Sequence, residues 1–181
     1  LEQERLDKAQ RLEERGIILY PRHATRSHTV AQAIAAFEAI GGADAPEEVA
    51  VTVCGRIRRL NIKGKVSFMH IEDESGRVQL FLRVNDMDAD VYAVIKEKLI
   101  EMDDFVQASG TMMLTRSGEM SVRVSEFALL SKTLSSLPVI KKQVQDDGTV
   151  VEHGAFSDRE TRYRQRYADL AVNAEVRDVF I

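Results

Sequence analysis

A mainly β architecture with flanking helices, in which five strands close into a small Greek-key barrel, follows from three features of this 181-residue sequence. The apolar period changes from three-and-four to two at Val49. It stays at two through "VAVTVCGRIRRL", "KVSFMHIED" and "RVQLFLRV". One amphipathic helical stretch then separates these runs from two more alternating ones, "DFVQASGTMML" and "MSVRVSEFALLSK". Alternation is the signature of a strand with one buried face, and a three-and-four repeat that of a helix.

The elements follow in order. Residues 1–16 place Leu1, Leu6, Ala9 and Leu12 among charged neighbours, and Gly16 stops the predicted helix. "YPRH" breaks the chain; Ser27 or Thr29 then caps a second helix that ends at Gly41 and Gly42, and Pro46 marks a boundary. The first strand leads into a loop around Asn61 to Gly64, and the "ESG" turn joins the second and third. In "DADVYAVIKEKLI", Val91, Val94, Ile95 and Leu99 share a helical face, and the hairpin "TRSGE" joins the last two strands. Three strands, a helix, then two strands is the order of the OB-fold. Past Pro138 the acidic "KKQVQDDGTVVEHGAF" reads as a connection or exposed hairpin. Ser157 and Glu160 then form a predicted capping box for a linker helix carrying "TRYRQRYADL". The expected organisation is a helical extension over 1–46, a barrel over 47–137, and a linker with the start of a further domain over 138–181. The chain opens without methionine and stops within "EVRDVFI", so it reads as a piece of a longer protein.

A hydrophobic content of 44% describes a soluble globular protein, and no apolar run approaches the about 20 residues that span a bilayer. A single cysteine, Cys54, excludes an internal disulfide, fits a reducing cytoplasm, and reads as a small buried hydrophobe. The net charge of -4 gives no general pull toward polyanions, but Arg56, Arg58, Arg59, Lys63 and Lys65 form a basic strip free of acids. Such a strip suits local contact with phosphates.

Alternation puts Val66, Phe68 and His70 on one strand face and Arg77, Gln79 and Phe81 on the corresponding face of the next. The aliphatic residues between them fill the interior, which leaves Phe68, Gln79 and Phe81 outward. A ring, an amide and nearby cations are what single-stranded RNA requires: stacking for an unpaired base, a donor and acceptor for its edge, and guanidinium groups for phosphates. Glu119 in the hairpin flanks that surface and can accept from a base N–H; taken alone it is a solvated hairpin acid. Asp86, Asp88, Asp90 and Glu97 have the spacing of a calcium loop, but its sixth place holds Val91 instead of glycine. Acids favoured at a helix N-terminus account for that cluster, and the four histidines lack zinc spacing. No metal site and no catalytic residue is expected.

"GRIRRLNIKGKVSFMHIEDESGRVQLFL", "GTMMLTRSGEMSVRVSEFALLSKTLSSLP" and "DRETRYRQRYADL" together resemble the N-terminal part of bacterial class II lysyl-tRNA synthetases. The resemblance runs the length of the chain, and "RYRQRYADL" marks the lysyl branch against its aspartyl and asparaginyl relatives. It implies an OB anticodon-binding domain ahead of a class II catalytic domain. It implies Phe68 as the stacking ring, Gln79 as the base-reading amide and Glu119 as the acid at the first anticodon base. Arg58 and Arg59 belong to the implied anticodon contacts, and Arg56, Lys63 and Lys65 are phosphate-contact candidates. Family members carry two arginines where Leu60 and Asn61 stand here, so the basic contact is displaced. Residues 139–156 read as an insertion. The implied partner is tRNA-Lys, and the implied whole protein is a cytoplasmic homodimer that uses ATP and Mg2+, neither of them held by this stretch. The alternatives are a non-enzymatic OB module for single strands, or an aspartyl- or asparaginyl-tRNA synthetase relative.

Overall fold

The computed structural model describes residues 2–44, 47–135, 137–138, 141–144, 150–153 and 158–180. The chain divides into two compact units, Leu1–Ser135 and Ser136–Ile181. The first holds helices α1 (Glu2–Glu14), α2 (Val30–Ala39) and α3 (Ala89–Lys96). It also holds strands β1 (Ala50–Lys63), β2 (Val66–Glu72), β3 (Arg77–Arg83), β4 (Phe105–Leu114) and β5 (Met120–Ser131). The strands close into a barrel in the order β1-β2-β3-β5-β4, with β3 and β5 parallel and the other pairs antiparallel. This is the expected five-stranded OB-fold.

β1 is long because it serves two neighbours. Ala50 to Arg56 pair with β4 and Arg56 to Lys63 with β2, with a bulge between Ile57 and Arg59 where the strand turns the corner. Gly55 sits at that corner, where a Cβ would meet the Glu72 carbonyl oxygen at 2.9 Å; on β4, a Cβ at Gly110 would lie 2.0 Å from that of Arg123. The barrel core is aliphatic, with Val53, Ile57, Met69, Ile71, Leu80, Leu82, Val106 and Val122 fully buried. The predicted loop at Asn61 to Gly64 is instead strand through Lys63, and a two-residue turn at Gly64 and Lys65 completes the hairpin. Pairing with β2 holds the backbone that polar side chains had suggested was loose. Cys54 also departs from expectation: Val51, Val53 and Ile57 take the inward register, so the thiol lies outside, half-buried, 3.7 Å from the Thr25 carbonyl oxygen.

The helices are tied to the barrel by polar contacts as much as by packing. In α1 the buried stripe is Arg5, Ala9 and Leu12, whereas Leu6 stays 43% exposed and Leu1 falls outside the described residues. Arg5 takes that inward place because its guanidinium donates to the carbonyls of Thr133 and Met102. Thr29, with Gln32, forms the capping box of α2. Asp73 and Ser75, in the β2–β3 turn, accept from the next two free amides, Val30 N–H and Ala31 N–H. Asp88 caps α3, which ends earlier than predicted. Lys98 adopts φ of 59° and the Leu99 N–H returns to the Val94 carbonyl, closing a left-handed helix stop.

Beneath α1 lies a buried ionic cluster. The Lys132 ammonium is 2.8 Å from Asp104 and 3.2 Å from Glu101, whose other oxygen is 2.6 Å from Lys8. Burial pushes the Asp104 carboxyl up, against the opposing pull of Lys132 and of the N–H groups of Thr133 and Glu101.

In the second unit, β6 (Lys141–Val144) and β7 (Val150–His153) pair as an antiparallel hairpin, and Pro46 and Ser157 fall outside the described residues. The expected linker helix is three short ones, α4 (Arg159–Arg164), α5 (Arg166–Val172) and α6 (Ala174–Arg177), with Asp158 capping the first. The break falls at Gln165, with φ -114° and ψ 55°. The cations of "TRYRQRYADL" turn on the chain itself. Buried Asp169 accepts from Arg162 at 2.8 Å and Arg166 at 3.0 Å, and Arg159 and Arg166 lie over the Tyr163 ring.

Two outcomes follow. Lys132→Met strands the buried Asp104 charge and lowers stability by about 3–5 kcal/mol in urea unfolding at neutral pH. Burial raises the Asp73 carboxyl, but the Ser75 hydroxyl and the N–H groups of Val30, Ser75 and Gly76 outweigh it and hold its pKa below the ordinary value. The folded state therefore binds that proton less readily than the unfolded chain. Asp73 stabilises above the unfolded pKa of about 3.9, and its contribution disappears as pH falls through the lower folded value. Asp73→Asn is thus less stable than wild type at pH 7, with the gap closing below about pH 4.

Candidate nucleic-acid interface

Closure of the barrel sets three rows of outward side chains across neighbouring strands. Lys63, Val66 and Arg83 form one; Asn61, Phe68, Phe81 and Arg123 the next; Arg59, His70, Gln79 and Ser121 the third. The intervening residues Ser67, Met69, Leu80, Leu82 and Val122 are buried, so these rows share the outer face. Phe68 and Phe81 lie with ring centres 5.5 Å apart at 60°, forming an apolar platform beside the polar row.

The β4–β5 hairpin leans over that platform. Gly118 adopts φ of 80°, and the turn is locked by Thr115 N–H to the Glu119 carbonyl, Gly118 N–H to the Thr115 carbonyl and Glu119 N–H to the Thr115 hydroxyl. This fixes the backbone of Glu119 and delivers its carboxylate to the third row. One oxygen sits 2.8 Å from His70 Nε2 and the other accepts from Gln79 Nε2 at 2.6 Å. Gln79 is held in turn by the Ser121 hydroxyl, which donates to its Oε1 at 2.9 Å. Gln79 is only 7% exposed, whereas the Glu119 side chain is 45% exposed. The carboxylate is therefore the presented acceptor, and the amide lies beneath it, with one N–H and one lone pair uncommitted among the described residues.

The structure separates the cations that the sequence grouped. Arg59 is the cross-strand neighbour of His70, and Lys63 and Lys65 flank the platform at the β1–β2 turn, all three exposed. Arg58 instead lies 3.2 Å from Glu72 and 3.6 Å from Asp103. The Arg56 guanidinium lies over the Phe105 ring at 4.4 Å, with its pKa lowered by burial and then by the charge of Arg58. Both sit at the corner of β1, beyond the third row. Leu60 points inward against the core and Asn61 outward beside Phe68. A groove of about 700 Å³ runs from Phe68 and Phe81 past Met113 and Arg116 to Arg123, which is paired bidentately with Asp86. His70 and Ser121 were the residues that sequence reasoning left without a role. Alternation had already placed His70 outward, and Ser121 stands two positions beyond Glu119, on the strand that the hairpin leads into.

Residues 51–130 match the family described as OB-fold nucleic acid binding domain, of the tRNA anti-codon type. The barrel is similar to that family over this span. Around this barrel the similarity extends to lysine–tRNA ligases. One from Dehalococcoides mccartyi (strain 195) is 38% identical over 181 residues, covering 100% of this chain and 34% of the relative. One from Roseiflexus castenholzii is 44% identical over 183 residues, 99% of this chain and 34% of the relative. One from Porphyromonas gingivalis is 39% identical over 135 residues, 72% of this chain and 22% of the relative. The chain thus spans about a third of the length of the first two, and the match to the first runs through the β6–β7 hairpin.

The Gln79 anchor is testable without a ligand. Ser121→Ala leaves a buried amide carbonyl without its donor and costs about 1–3 kcal/mol in urea unfolding. The same substitution in a Gln79→Met background costs markedly less, because the carbonyl is then gone.

Proposed function

We propose that this chain is the anticodon-binding part of a lysine–tRNA ligase and that its outer face takes the unpaired loop of tRNA-Lys. The observation that carries the reading is the juxtaposition of the Phe68–Phe81 platform with a hydrogen-bonded, outward-facing Glu119 carboxylate. An unpaired base stacks on Phe68, a contact open to any base because each has a π-face. Discrimination falls to its edge. A uridine presents an N–H at N3 that a carboxylate accepts, while a cytidine presents a bare nitrogen at N3 and can offer a carboxylate only its exocyclic N4–H2. Phosphates follow the exposed Arg59, Lys63 and Lys65.

The whole protein would activate lysine with ATP and esterify the tRNA terminus, as a cytoplasmic homodimer. That reaction would use ATP and Mg2+; among the described residues no group of three or more His, Cys, Asp or Glu is placed to hold a metal ion. Among the same residues no helix is long and apolar enough to cross a membrane. The role of this stretch is recognition.

Titration of the full chain with a uridine-rich anticodon stem-loop and with a scrambled loop separates this reading from a non-selective single-strand module. Selective binding to the first is expected; equal affinity for both sinks the proposal. Phe68→Ala weakens binding by about 1–3 kcal/mol with the fold intact.

A further inference from the structure

We propose that His70 is the positioning residue that makes Glu119 a discriminating acceptor, an inference that rests on the reading of this face as the anticodon site. A carboxylate can only accept, so at 2.8 Å the imidazole donates through Nε2. Its other nitrogen, Nδ1, is buried without a partner among the described residues. The ring therefore carries its proton at Nε2 and leaves Nδ1 bare, because a proton on Nδ1 would be a buried donor with nothing to accept it. A buried nitrogen with no partner among the described residues is a cost that a side chain serving packing alone would avoid; a valine or threonine fills such a place on the outer face without it. What the imidazole supplies is a rigid donor aimed at Glu119 from β2, opposite the Gln79 donor from β3.

The two donors do different work. Gln79 is fixed from below by Ser121 and reaches one carboxylate oxygen. With that contact alone, the carboxylate can still turn about the bond joining it to the side chain. The second contact, from His70 to the other oxygen, removes this rotation and holds the plane of the carboxylate relative to the Phe68 platform. A stacked base then meets lone pairs in one orientation. Affinity from stacking and phosphates does not depend on this; the choice between base edges does.

The test uses the full chain and two stem-loops that differ only by uridine-to-cytidine changes in the loop, with the ratio of their affinities as the readout. Wild type favours the uridine loop, and Glu119→Ala loses that preference by about tenfold. His70→Ala should lose it to a similar degree, read as the ratio of the two affinities. His70→Leu, which fills the volume without a donor, should match His70→Ala. His70→Gln, whose amide N–H reaches the position of Nε2, should recover most of the preference. Melting temperatures separate these effects from loss of fold, and if His70→Ala unfolds, the Leu and Gln pair decides alone. Retained preference in His70→Leu, or no recovery in His70→Gln, overturns the role of His70 and leaves the anticodon reading in place. Absence of any preference in wild type overturns both.

Discussion

The parallel pairing of β3 with β5 is the constraint on which the rest of the site depends. Gln79 and Ser121 are far apart in the chain, and only closure of the sheet makes them neighbours. Once they are, Ser121 fixes Gln79, Gln79 reaches Glu119, and the hairpin that carries Glu119 is held over the aromatic platform. Closure needs close backbone approaches, met at Gly110 and Gly55, and a bulge that lets β1 pair with two partners. The recognition surface is thus a by-product of how a short sheet is bent into a cylinder, as is common where rigid strands position functional side chains.

Most of the architecture was legible because the barrel has one buried face and one open one. Under that condition alternation reports orientation directly, and the inward set from Met69 to Leu82 and the outward Phe68, Gln79 and Phe81 could be assigned residue by residue. Alternation says nothing about which acid meets which base. The five cations between Gly55 and Val66 looked like one strip, yet the bulge at Arg58 turns that side chain and Arg56 toward Glu72, Asp103 and Phe105. Arg5 was hidden for a related reason: its carbonyl partners, Met102 and Thr133, are distant in sequence. Gln79 was read as a reaching amide; the hairpin covers it, and it lies buried beneath Glu119 with its amide bonded to Glu119 and Ser121.

The acidic composition now has a physical sense. Acids are committed to contacts within the chain: Asp73 and Asp88 at helix ends, Asp86 against Arg123, Asp104 and Glu101 around Lys132. The exposed cations Arg59, Lys63 and Lys65 are thereby left beside the platform, so a net negative chain still offers a locally positive rim.

The ionic cluster beneath α1 bears on where this domain can be cut. The OB-domain match ends at residue 130, but Lys132 lies two positions further on and balances Asp104, while Lys8, from the opposite end of the unit, reaches Glu101 in the same cluster. An excised 51–130 segment would contain every strand residue that faces the platform and still bury an acid whose counter-ions had been left behind. Electrostatic closure thus draws a wider boundary than the domain match does, one that takes in Lys8 of α1 at one end and Lys132 at the other.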